Sequence, residues 1–68
     1  MKNTVDQNTR NVTVANAIVD GIRRALQSVH GVKSTSGVSE RALLSYALRA
    51  GMLEPEEINL CRGVYGFF

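Results

Sequence analysis

Apolar residues recur at helical spacing in three stretches of this chain. From Val14 to Val29, a step of about 100° per residue gathers Val14, Ala15, Ile18, Val19, Ile22, Ala25, Leu26 and Val29 on one arc. Asn16, Asp20, Arg23, Arg24 and Gln27 fall on the other side, which is the pattern of a surface helix with one buried face. Thr13 suits the N-cap, where its hydroxyl can accept from a free amide, and Gly31 can supply the left-handed residue that ends the helix. Gly31–Gly37 reads as a loop. A second helix is predicted from Val38 or Ser39 to Ala50, with Gly51 as its stop. Its polar residues reduce to the stripe Arg41, Ser45, Arg49, while Val38, Ala42, Leu43, Leu44, Tyr46, Ala47, Leu48 and Ala50 cover the rest. A helix this apolar belongs between two neighbours, or between one neighbour and another protein. The third helix opens at Pro55, with Glu56 and Glu57 at the positive end of its dipole. Beyond it, Ile58, Leu60, Cys61, Val64, Tyr65, Phe67 and Phe68 share half a wheel, so the pattern runs past Gly63, with a break expected at Gly66.

The fold class that follows is all-α: a small three-helix domain over residues 13–68, with helices at about 14–29, 38–50 and 55–66 and helix two as the spine. Residues 1–12 are polar and lack helical spacing, and are expected to form a flexible arm.

The last seven residues, Arg62 to Phe68, hold three of the four aromatics, Tyr65, Phe67 and Phe68. Chain ends are commonly loose, whereas burying each such side chain is worth roughly 1.5–3 kcal/mol. The tail therefore either closes the chain's own core or meets a partner. Aromatic anchors rimmed by arginine are typical of interfaces. Val64, Tyr65, Phe67 and Phe68, with Leu44 and Leu48 of helix two, are accordingly the candidate partner-binding residues; Arg23 and Arg24 are candidates for meeting an acidic partner.

Size sharpens the question. A chain of 68 residues buries only about 60% of its unfolded surface. Such domains commonly lean on disulfides, metals or partner chains. The single cysteine, Cys61, excludes an internal disulfide, and with His30 it makes too few ligands for a Cys/His zinc site. No metal or other cofactor is expected. The same two residues are poor candidates for catalysis. Cys61 sits among apolar neighbours and His30 at a helix end, and no nucleophile, base and orienting group share a pattern. Glu54, Glu56 and Glu57 surround a helix start, where carboxylates are expected. The chain is read as non-enzymatic.

Net charge is +2, with residues 1–36 at +3 and residues 37–68 at −1, and no block of like charge reads as a nucleic-acid tail. The apolar runs are too short for a membrane span and the polar opening residues show no signal peptide, so a free thiol points to the cytoplasm.

Three DNA-binding arrangements are conceivable for this pattern. Helix two, the turn at Gly51 and helix three resemble a helix-turn-helix, with Ala47 and Gly51 at the customary separation. The second helix, however, would present Glu54, Glu56 and Glu57 where base-reading or phosphate-binding groups are needed. A ribbon-helix-helix dimer would use Arg10–Val14 as its strand. The stripe Arg41, Ser45, Arg49 would be the nucleic-acid-binding set if it met phosphates directly.

Ala17-Ile-Val-Asp-Gly-Ile-Arg23, Ser36-Gly-Val-Ser-Glu-Arg41 and Leu60-Cys-Arg-Gly-Val-Tyr-Gly66 give the whole chain a resemblance to the small temperate-phage repressor inactivators of the Coi type. The resemblance implies an antirepressor: a protein that binds a transcription repressor and stops it holding its operator. Together with the excess of apolar helix surface, it points to regulation by protein–protein contact. A homodimer is compatible with the same surplus. Two alternatives stay open: a small dimeric DNA-binding regulator, and an inhibitor of another host protein such as a defence nuclease.

Overall fold

The structure, a computed structural model, describes residues 4–68, with side chains from Asn8 onward. Three helices form: α1 over Thr4–His30, α2 over Glu40–Arg49 and α3 over Pro55–Tyr65, with a 3₁₀ turn at Val32–Thr35 between the first two. The all-α, three-helix architecture expected from periodicity is the one observed, and no strand occurs among the described residues.

The helix ends follow local chemistry. Gly31 takes φ 105°, and its amide donates to the Gln27 carbonyl at 2.9 Å, closing α1. Ser39 caps α2, its hydroxyl accepting from the Ala42 amide at 3.2 Å. Gly51, at φ 72°, ends α2 in a Schellman motif: the Met52 amide donates to the Ala47 carbonyl and the Gly51 amide to that of Leu48. At the start of α3 the Glu54 amide donates to Glu57 Oε1 at 2.8 Å, so this acidic cluster is engaged in capping.

The core is one row from each helix. Ala15, Val19 and Ile22 of α1 meet Leu43, Leu44 and Ala47 of α2 and Cys61 of α3; Ile18, Leu26, Val38, Leu53, Val64, Tyr65 and Phe68 pack around them. The turn is stitched to α1 by polar contacts. Thr35 is buried, its hydroxyl accepts from Gln27 Nε2 at 2.8 Å, and its carbonyl accepts from Arg23 Nη1 at 3.2 Å.

Four expectations change. The spine is α1, of 27 residues, which packs against the turn, α2 and α3, while α2 and α3 touch each other least. Much of the apolar breadth of α2 is alanine, and Ala42 and Ala50 lie in solvent. The first helix also begins at Thr4, well before Val14, so residues 4–12 of the expected arm are helical; residues 1–3 lie outside the described residues. Extending a nucleated helix is far easier than starting one. The C-terminal half of α3 also lies alongside, with Leu60, Gly63 and Val64 facing Asn8, Asn11 and Val12 across a shallow groove. Thr13 is consequently inside the helix and caps nothing; its hydroxyl donates to the Thr9 carbonyl at 2.9 Å. Finally, Arg10–Val14 form helix, so the strand of a ribbon-helix-helix dimer is not made.

Leu44 is fully enclosed, and a leucine-to-alanine change at such a site costs about 2–5 kcal/mol. A domain of this length has only about 3–10 kcal/mol of stability in total. Leu44→Ala is therefore expected to lower the urea midpoint sharply or unfold the chain. A loss below about 1 kcal/mol would show that this core is not the one described.

Candidate functional site: the aromatic C-terminal tip

The tip is assembled where α3 breaks. Gly66 takes φ 85°, its amide donating to the Arg62 carbonyl at 2.9 Å, and the chain leaves the helix axis there. The half-wheel pattern that ran to Phe68 is thus interrupted after Tyr65, and the two phenylalanines diverge. Tyr65 is half-buried and its hydroxyl donates to Asn16 Oδ1 of α1. Phe68 is half-buried and packs on the core. Phe67 is 77% exposed. Val64 is half-buried beside them.

Two arginines hold this turn. Arg41, at the start of α2, donates from Nε (3.2 Å) and Nη2 (2.8 Å) to the Phe67 carbonyl. The Arg62 guanidinium lies 5.3 Å from the Phe67 ring centroid and 5.8 Å from that of Phe68, within cation–π range of both. Phe67 is therefore outward-facing, with its carbonyl held by Arg41 and its ring beside the Arg62 guanidinium.

The other candidates separate. Leu44 is in the core and cannot meet a partner; the periodicity placed it on a broad apolar arc without saying which edge of the arc is covered. Leu48 is half-buried. Arg23 is occupied by Thr35, whereas Arg24 is open to solvent, its side chain 81% exposed and only 3.9 Å from Asp20 in an exposed i,i+4 pair. Within the possible phosphate-binding stripe, Arg41 is committed to the tail and Arg49 Nη2 donates to Ser45 Oγ at 3.3 Å. Sequence reasoning missed a second apolar surface. Val14, Ala17, Ile18 and Gly21 of α1 form an open groove of about 450 Å³ with Met52 and Leu53 of the α2–α3 connection. The signal for it was present: helix one carries more apolar arc than a single neighbour covers.

Cys61 is fully buried, and burial, assisted by the nearby Glu57 carboxylate, pushes its thiol pKa up from 9.0. Burial likewise raises Tyr65, with smaller contributions from Glu40 and Cys61. No group of three or more His, Cys, Asp or Glu side chains able to hold a metal ion occurs among the described residues, and none of their helices is long and apolar enough to cross a membrane. Comparison with protein-family models, curated proteins and solved structures gives no match.

Three outcomes are expected. Because the fold favours the protonated thiol and phenol, that part of the stability is complete below the ordinary thiol value of 9.0 and is lost as pH rises through the raised folded value. The thermal midpoint should fall with pH only above about pH 9, and Cys61 should react with a thiol reagent at pH 8 only as fast as the chain opens. Rapid, stoichiometric labelling of the folded chain would contradict the burial. Replacing Arg41 by Ala should release the tail, lowering the backbone order parameters of Phe67 and Phe68 while leaving the helical circular dichroism intact. Unchanged order parameters there would show that Arg41 does not hold the turn.

Proposed function

We propose that this chain is a non-catalytic regulator that works by docking onto another protein, with the Phe67 tip as its principal anchor. The reading is supported most by one observation: Phe67 is 77% exposed although its carbonyl is fixed by Arg41 and its ring by Arg62. A large apolar side chain in water gains nothing for its own fold, so holding it in a fixed pose makes sense as preparation for a pocket on a partner. Preorganised aromatic anchors bind well because little motion is lost on association. Arginines at the rim supply the polar border that interfaces commonly have.

The resemblance to Coi-type inactivators gives the partner a chemistry: a transcription repressor, which the chain would remove from its operator. The involvement of Arg41 and Arg49 in contacts within the chain fits this better than direct binding to DNA, because phosphate contact would have to compete with those bonds. The cluster Glu54, Glu56, Glu57 at the α3 start also opposes a phosphate backbone.

The test begins with a pull-down and mass measurement of the intact complex. The captured protein should be a repressor, and adding the chain should free that repressor's operator in a gel-shift assay. Phe67→Ala should weaken the complex by about tenfold or more, the size of an interface anchor, without changing the melting curve of the free chain. Equal binding by Phe67→Ala removes the anchor from the reading. Tight binding of the chain alone to duplex DNA, weakening steeply with salt, would replace the reading with DNA binding.

A further inference from the structure

The tip leaves the open face of α1 unexplained. Between Val14 and Val29, the helical sector holding Val14, Ala17, Ile18, Gly21, Ala25 and Val29 has Ser28 as its only polar member. The core uses the adjoining row, Ala15, Val19 and Ile22, and leaves this sector wet: Val14 is 43% exposed, Val29 75%, and Ala17, Gly21 and Ala25 are all exposed. Met52, 41% exposed, and Leu53 extend the same surface as the far wall of the groove, with Glu57 the one charged residue lining it. Asn16, where Tyr65 attaches, lies about 140° round α1 from Gly21, so this surface is separate from the aromatic tip.

Gly21 is the informative residue. Glycine inside a helix is destabilising relative to alanine. Here a Cβ would meet nothing within 4 Å, and the backbone is ordinary helix with no positive φ. The chain's own packing therefore gives no reason for its absence. Gly63 of α3 is equally open, so what marks Gly21 is its place in the middle of this apolar sector, where a missing Cβ admits close approach of another helix.

We propose that this face is the seam of a homodimer, in which α1 packs antiparallel on α1 of a second copy with the two-fold axis beside Gly21. Three features of the chain select a second copy in that direction. Antiparallel alignment about this point sets Val14 opposite the partner's Val29, so two exposed valines cover each other, and sets Ile18 opposite the partner's Ala25, large against small. The same alignment brings Asp20 of each copy within one turn of Arg24 of the other. Their side chains are 66% and 81% exposed and make only a 3.9 Å pair within the chain. Parallel alignment would instead turn the Asp20–Arg24 flank of each copy toward the opposite flank of the other and leave the two flanks apart. The face is thus complementary to itself in shape and charge, as an isologous contact requires. It also supplies burial that so small a domain lacks alone. The inference does not depend on the antirepressor reading.

Sedimentation equilibrium of the full chain decides it. The native chain should sediment at twice its 7.4 kDa mass and dissociate on dilution. Gly21→Gln replaces the glycine with a good helix former that the monomer accommodates, and should raise the dissociation constant at least about tenfold. Val29→Lys, at a site open to solvent in the single chain, should do the same and decides the matter if Gly21→Gln loses its helical signal. A native chain that stays monomeric into the millimolar range overturns the proposal and leaves the face to a different protein. A dimer unaffected by Gly21→Gln and Val29→Lys, both folded, also overturns it by placing the contact elsewhere.

Discussion

Everything in this molecule is arranged against one side of α1. The row Ala15, Val19, Ile22 is the strip on which α2 and α3 meet, and Leu43, Leu44, Ala47 and Cys61 are buried because they face it. Since α2 and α3 touch each other least, neither has a position independent of that strip. The constraint is geometric: two short helices bury apolar area only by sharing a longer one. Small residues at Ala15 and Ala47 let the backbones approach, and Leu43 and Leu44 fill what remains.

The polar contacts do a second job: they fix the irregular segments that the helices leave over. Gln27 and Arg23 hold Thr35, so the connection between α1 and α2 is attached to the helix it leaves. Arg41 and Arg62 hold the segment after α3. Arg23, Arg41 and Arg62 thus make contacts within the chain while keeping their charge.

The two apolar surfaces differ in kind. The tip is a single protruding ring beside Arg62. The α1 face is an open, shallow groove in which Ala17 and Gly21 lie between larger apolar side chains. Their separation round α1 lets one chain carry both surfaces.

The residue pattern is enough to specify the three helices and most of their ends, because period, capping serine, Pro55 and the glycines at 31, 51 and 66 act over one or two turns. It also identified Cys61 as a core residue and the last seven residues as unusual. It did not show that α1 begins at Thr4, since the polar residues there become helical by extension from an existing helix and contact with α3. Nor did it separate Leu44 from Leu48, or Phe68 from Phe67: each pair lies on one apolar arc, and which edge is covered depends on where neighbouring helices cross. Period assigns a residue to a face. Only the tertiary packing decides how much of that face is hidden, and in this chain the uncovered remainder is where function is sought.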